Sequence, residues 1–295
     1  RFGIGFAPDR WDALVTRLRD AKIAADVGAR GGLLKERDRG GHYDLLRGRI
    51  TFPIQDPRGR IIGFGGRAIL DGQEPKYLNS PEGPVFRKRE AFYGFPHSLE
   101  AIRKKDRAII VVGYFDRIAL ARAGLDEGVA TWGTSLTEEH ARTLKRRTRN
   151  VVLLFDGDDA GQRAMLRGLE VLLPHDLRVS AVALPAGQDP DDLLKADGPE
   201  ALAARIEGAA PAMDVAIRRA VNEGVSTPWE RADAVAAVIP LLVLVPDAVE
   251  RGEYGRRLAM ATGVELADVE AAIRQARSGG DPPAAIAARP RQRGP

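Results

Sequence analysis

Two short runs constrain this chain more than any other feature. Ala108–Val112 (AIIVV) and Val151–Phe155 (VVLLF) are apolar at every position. A strand with one wet face alternates apolar and polar residues, so unbroken runs of this length are expected from strands buried on both faces. Between them Asp116–Ala123 reads as a helix and Val129–Trp132 as a strand. Thr137–Arg147 reads as a second helix, with Thr137 at the N-cap and Glu138 and Glu139 in its first turn. Beyond them Ala160–Leu173 sets Met165, Leu166, Leu169, Leu172 and Leu173 on one helical face, and Leu177–Leu184 reads as a closing strand. Alternation at this spacing predicts a small, mostly parallel α/β sheet with helices on its faces.

The flanking segments differ in kind. Residues 1–100 are rich in Gly, Pro and Arg, with β-like runs at Ile50–Ile54 and Ile61–Phe64 around a turn at Gln55–Arg60. Trp11–Asp20 reads as a helix and Gly31–Gly41 as an exposed loop. Gly63-Phe64-Gly65-Gly66-Arg67 resembles a phosphate cradle, but it lacks a following helix and the G-x-x-x-x-G-K-[ST] pattern, so it reads as a tight β-turn. After Leu193 strand signals cease. Glu200–Ile206, Ala210–Val221, Pro228–Leu244, Ala248–Ala261 and Glu265–Ala276 read as helices, and 278–295 as a disordered tail. The longest apolar run, Ala234–Val245, contains Pro240 and is too short to span a bilayer. No signal-peptide pattern opens the chain.

Composition removes several chemistries. With no Cys among 295 residues, disulfides, thiolate catalysis and Cys-ligated zinc or iron–sulfur sites within this chain are excluded. Ser135 lacks a G-x-S-x-G elbow, and His140 and His175 have no ligand-spaced partner, so surface or helix-face placement is expected for both histidines. Charge is uneven. Basic residues outnumber acidic ones 22 to 14 over residues 1–107, whereas acids outnumber bases 8 to 3 over 151–192. A basic half beside an acidic cluster suits a polyanion track leading to a metal site.

The acids lie where such a site would be built. Asp156-Gly157-Asp158 follows one apolar run directly, Asp189-Pro190-Asp191-Asp192 follows the next strand, and Asp116 opens the helix after the first. Ligands meet a parallel sheet at the carboxyl ends of its strands, and Mg²⁺ takes hard oxygen donors while keeping positions open for phosphates. The commonest use of such Asp residues is as helix N-caps and turn formers. Three acidic groups at successive strand ends favour metal binding.

Several stretches together resemble the catalytic core of the bacterial, DnaG-type DNA primases. They are RFGIGFAP at 1–8, RITFPIQDPRGRIIGFGGR at 49–67, PKYLNSPE at 75–82, VGYFDRIA at 112–119, Gly133-Thr134-Ser135, FDGDDAG at 155–161 and LPAGQDPDDL at 184–193. The resemblance implies template-directed synthesis of short RNA primers from NTPs on single-stranded DNA, in the bacterial cytoplasm at the replication fork and away from membranes. It implies a basic mixed N-terminal subdomain (1–106), a central Toprim α/β subdomain (107–193) and a helical subdomain (194–277). By position, Asp156, Asp158 and Asp189 would bind catalytic Mg²⁺, for which Mn²⁺ can substitute, with Asp191 and Asp116 completing the acidic set. Arg67, Lys76, Tyr77, Asn79 and Lys88 match the family's ridge for template and nucleotide phosphates, with Arg1, Arg47 and Arg49 as weaker members. Tyr77 and Phe86 can stack on bases, although packing is their commoner role. The family's zinc-binding domain has no counterpart here, and the replicative helicase is expected to be reached only through a domain outside this chain.

One departure matters. The family reads V-E-G-Y-x-D, and its Glu belongs to the Toprim acid set; here the stretch is Val111-Val112-Gly113-Tyr114-Phe115-Asp116. Valine at 112 neither ligates metal nor transfers a proton, so impaired catalysis is expected. Gln188, where an acid is common, is a minor change. The alternatives are a non-catalytic template- and NTP-binding module of primase ancestry, or another Toprim enzyme such as a nuclease.

Overall fold

The structure is a computed structural model that describes residues 1–279 except Thr134, Ala186 and Glu223, and the backbone but not the side chain of Ala183. The expected tail therefore lies outside the described residues from position 280 on, as does Thr134. Along the chain the elements are β1 (Gly5–Ala7), α1 (Ala13–Asp20), α2 (Ala25–Arg30), β2 (Leu34–Glu36), β3 (His42–Asp44), β4 (Arg49–Gln55), β5 (Ile61–Ala68) and β6 (Tyr77–Asn79). They continue with α3 (Phe95–Lys105), β7 (Ala108–Val111), α4 (Tyr114–Arg122), β8 (Gly128–Ala130), α5 (Glu138–Lys145), β9 (Asn150–Phe155), α6 (Asp159–Leu172) and β10 (Arg178–Ala183). The last are α7 (Pro190–Glu207), β11 (Ala210–Pro211), α8 (Ala212–Asn222), α9 (Pro228–Leu242), α10 (Ala248–Thr262) and α11 (Leu266–Arg277). Two compact units divide them: Arg1–Lys105 with Val111–His140, and Asp106–Ile110 with the chain from Ala141 onward.

The first unit is built on an antiparallel sheet of order β1-β4-β5-β6. β4 and β5 are joined by the expected turn, in which Asp56 accepts from the amides of Arg58 (2.9 Å) and Arg60 (3.0 Å). Gly59 takes the positive φ of +80° that such a turn requires. The Gly63–Arg67 stretch is not the expected β-turn; it forms the middle of β5. Its glycines serve close approach: a Cβ on Gly65 would lie 1.9 Å from the Tyr114 hydroxyl, and one on Gly66 3.0 Å from Arg49 Cδ.

Gly31–Gly41 is likewise not wholly an exposed loop, since β2 lies within it and Leu34 is buried. β2 pairs with β3, which carries Asp44. No side chain of its own caps α1; buried Asp44 does so, accepting from the amides of Leu14 (2.6 Å) and Val15 (3.1 Å). Helix α5 starts as expected, with the Thr137 hydroxyl accepting from the His140 amide at 3.2 Å. His140 is not at the surface, however. It is fully buried, its ring 4.3 Å from that of Phe92 and Nε2 3.0 Å from the Ala91 carbonyl oxygen, and burial pushes its pKa down.

In the second unit Ala108–Ile110 of β7 lies parallel to β9, and β9 parallel to β10. The two apolar runs behave as their patterns demand: Ile109 and Ile110 are fully buried and Val151 to Leu154 nearly so. Strands do not cease after Leu193, because β11 adds an antiparallel edge to β10. Two residues, one of them Pro211, leave no periodic signal, and a proline is tolerated at an edge. Helix α6 packs on β9 and β10, and α8 on β10. Helix α7 is continuous from Pro190 but kinks at Gly198 (φ +83°) before Pro199, close to where a separate helix was expected to begin. Helices α8 to α11 form the helical part. The long apolar run forms most of α9, where Ala234, Val238, Ile239 and Leu242 are buried. Among the described residues no helix is long and apolar enough to cross a membrane.

Asp44 generates a stability prediction. A buried carboxylate holding two helix amides is worth about 2 kcal/mol, so Asp44→Ala should lower the urea midpoint accordingly. Asp44→Asn, which keeps one acceptor, should fall between the two. Equal midpoints for all three chains would show that α1 does not depend on this cap.

Candidate functional site

Asp156 follows the last residue of β9, and the chain turns at once into α6. The turn requires its glycines. A Cβ on Gly157 would lie 2.1 Å from the Leu184 carbonyl oxygen, and one on Gly161 2.1 Å from that of Asp156. Gly157 therefore lets the end of β9 press against the segment after β10, which leads to the second acidic group.

Two of the acids serve local structure. Asp158 is the N-cap of α6 and accepts from the Gly161 amide at 2.7 Å. Asp189 is the N-cap of α7 and accepts from the Asp192 amide at 2.8 Å. Capping engages one carboxylate oxygen and leaves lone pairs on the other. Asp191 forms an i,i+4 ion pair with Lys195 at 2.6 Å. Asp156 has the distinctive electrostatics: partial burial, then the charges of Asp158, Asp189 and Asp192, hold its carboxyl above the ordinary Asp range. Helix N-termini offset part of this repulsion, since α6 and α7 both begin here.

The donors are all carboxylate oxygens, a set that suits Mg²⁺ or Mn²⁺. Among the described residues no three acids or histidines are gathered as a ready-made metal cage. That is compatible with Mg²⁺, which commonly takes one or two carboxylates and fills its shell with water and phosphate oxygens. Asp156 and Asp158, with Asp189 beside them, are the residues able to hold it.

The first unit carries the remaining expected residues. Val112 is half-buried just beyond β7, and Asp116 is the third residue of α4 rather than its start, its Oδ2 accepting from the Gly113 amide at 2.7 Å. In the β5–β6 pair Arg67 lies opposite Tyr77, and Gly65 opposite Asn79. Side chains alternate along a strand, so Arg67, Tyr77 and Asn79 share one face. The Arg67 guanidinium lies 5.0 Å from the Phe115 ring centroid, and Tyr77 is 44% exposed, so its ring is accessible. Lys76 is exposed, and Lys88 is half-buried with its amide bonded to Glu82.

The weaker members are engaged locally. Arg1 pairs with Asp126 at 2.6 Å, Arg47 pairs with Asp9 and covers the Trp11 ring, and Arg49 is buried, donating to the Lys76 carbonyl oxygen. Phe86 is buried and serves packing. Tyr114 escaped sequence reasoning, although glycine inside a strand-like run signals close approach by another group.

The raised carboxyl of Asp156 carries a sign. Its contribution to stability is present below the ordinary Asp value and is lost as pH rises through the raised one. Asp156→Asn should therefore stabilise the chain to urea at pH 7, and the gain should shrink near about pH 4. A gain of the same size at both pH values would contradict the assigned repulsion.

Comparison with known proteins agrees with this geometry. Residues 1–99 match the N-terminal domain of the DNA primase catalytic core, residues 109–194 a Toprim-like domain, and residues 213–267 the DnaB-helicase binding domain of primase. The third match falls on α8 to α10 and runs against the expectation that the helicase is reached only outside this chain. The DNA primase of Pseudomonas aeruginosa is 41% identical over 269 residues, which are 89% of this chain but 40% of that protein. The chain thus spans less than half the length of that relative. A crystal structure of a DNA primase domain from the same organism superimposes with a TM-score of 0.83 at 39% identity, covering 92% of this chain and 87% of that one. A DnaG primase catalytic domain bound to single-stranded DNA has a TM-score of 0.78 at 38% identity, covering 88% and 84%. A Toprim-type sheet with acids at its strand ends, a glycine-rich β5 bearing Arg67, and identity sustained across nearly all of a solved primase domain lead to one conclusion: the chain belongs to the DnaG-type DNA primase family, in the region of its catalytic core.

Proposed function

We propose that the chain polymerises short RNA primers on a single-stranded DNA template, and that it does so poorly because Val112 stands where the family carries a glutamate. The observation that carries this reading is the crowding of Asp158, Asp189 and Asp192 around Asp156, a concentration of negative charge that a divalent cation would relieve. When bound, Mg²⁺ would neutralise the triphosphate and lower the pKa of the attacking 3′-hydroxyl. Asp156 and Asp158 would hold it, with Asp189 and Asp191 of the same unit completing the acidic set.

The chain's other residues have separate tasks. Arg67, Lys76 and Lys88 neutralise template and nucleotide phosphates, Asn79 donates to them, and Tyr77 offers a ring to a base. Arg1, Arg47 and Arg49 flank that ridge. Residues 1–106 would then track the template, 107–193 hold metal and nucleotide, and 194–277 form a helical part. The helicase-binding match over 213–267 supports contact with the replicative helicase through α8 to α10. The single-stranded DNA in a solved relative supports the template assignment. The place of action is the replication fork.

A second reading, a module that binds template and NTPs without joining them, is favoured by Val112 alone. Primer synthesis from radiolabelled NTPs with Mg²⁺ or Mn²⁺ separates the two, and the chain should be compared with Val112→Glu. Restoring an acid–base group of this kind should raise the rate by about 10² or more. Equal rates would refute the impairment. Failure of both chains while single-stranded DNA binding persists would favour the non-catalytic module. DNA binding should weaken with salt, and Arg67→Ala and Lys76→Ala should each flatten the slope of log K against log salt by about 0.7. An unchanged slope in both would remove them from the phosphate track.

A further inference from the structure

Tyr114 is 2% exposed and tightly held. Its ring stacks on Phe52 with centroids 4.6 Å apart at 12°, and lies 6.4 Å from the Tyr77 ring at 28°. Its hydroxyl reaches the β5–β6 pair over Gly65, where any Cβ would sit 1.9 Å away. There it donates to Asn79 Oδ1 at 2.6 Å. Burial, and then the neighbouring Tyr93 and Tyr77, raise the phenol's pKa, so it remains a donor at every working pH.

An amide whose oxygen is engaged in this way has one orientation left. Asn79 Nδ2 makes no hydrogen bond among the described residues, and Asn79 is half-buried rather than enclosed. Its two N–H groups are therefore open to water or to an acceptor on a ligand. They share a strand face with Arg67, whose guanidinium rests over Phe115, the residue next to Tyr114. One turn of α4 thus supports two outward-facing donors.

We propose that Tyr114 is a positioning residue: it locks the Asn79 amide with its NH₂ outward, so that this face recognises phosphate oxygens of a nucleic-acid backbone or of a nucleoside triphosphate. The inference rests on the reading of β5–β6 as a phosphate-contacting face and deepens it by naming what sets the polarity of Asn79. Tyr114 would touch no ligand, and its effect would pass wholly through Asn79.

A double-mutant cycle on the full chain tests this. Binding of a labelled single-stranded oligonucleotide and of a fluorescent nucleoside triphosphate is measured separately, for the parent, Tyr114→Phe, Asn79→Ala and the double variant. Tyr114→Phe keeps the ring stack and loses one hydrogen bond, so affinity for at least one ligand should fall about threefold to tenfold. The ligand affected identifies the source of the phosphate. In the Asn79→Ala background the same change should have no further effect. Asn79→Asp retains an acceptor for the phenol but replaces the donor with a negative charge, and should bind no better than Asn79→Ala. Additive losses, or a Tyr114→Phe chain that binds like the parent while Asn79→Ala does not, would overturn the inference. If Asn79→Ala binds both ligands as the parent does, Asn79 is not a ligand contact, and the underlying reading of that residue fails first.

Discussion

Parallel pairing of buried strands is the interaction on which the second unit is organised, and it gathers mutually repelling carboxylates at the carboxyl end of β9. Parallel pairing of β7, β9 and β10 brings strand ends to one edge, and the chain leaves that edge through glycines that allow approaches a Cβ would forbid. Asp158 and Asp189 stabilise their helices as caps while adding charge beside Asp156. The same residues perform the common structural task of Asp and keep lone pairs over for a ligand, because a carboxylate has more lone pairs than a cap consumes. Local repulsion at Asp156 is tolerable because two helix N-termini lie beside it.

The first unit depends on a different constraint, the absence of side chains along β5. Gly65 and Gly66 let Tyr114 and Arg49 come against the strand, and the residues opposite them in β6 gain fixed surroundings. A sheet face proposed to meet phosphates gains from donors whose orientation is set before the ligand arrives, since ordering them on binding costs affinity. Tyr114 and Phe115 supply that order from one helical turn.

Much of the fold was legible in the sequence because its signals are local. The unbroken apolar runs at 108–112 and 151–155 announced buried strands, and Thr137 a helix start. Asp56 and Gly59 announced the hairpin. What escaped depended on distant partners or on segments too short for periodicity. Nothing near α1 shows that Asp44 caps it from β3, and two-residue β11 has no pattern. The β5 glycines read as a turn because the residues that need their space, Tyr114 over Gly65 and Arg49 over Gly66, are distant in sequence. At the candidate site, the positions of the acids at strand ends and helix starts were readable, but the mutual repulsion centred on Asp156 required the fold. The valine at 112 is informative only beside the family's pattern, since by itself it is an ordinary end to an apolar run.

The acids at the end of β9 are proposed above to hold a divalent cation. Mn²⁺ titration followed by electron paramagnetic resonance, which reads free Mn²⁺ directly, tests it in the parent chain and in Asp156→Asn. A saturable site is expected in the parent and is lost or greatly weakened in Asp156→Asn, whose fold is retained. Indistinguishable Mn²⁺ binding by the two chains would contradict it.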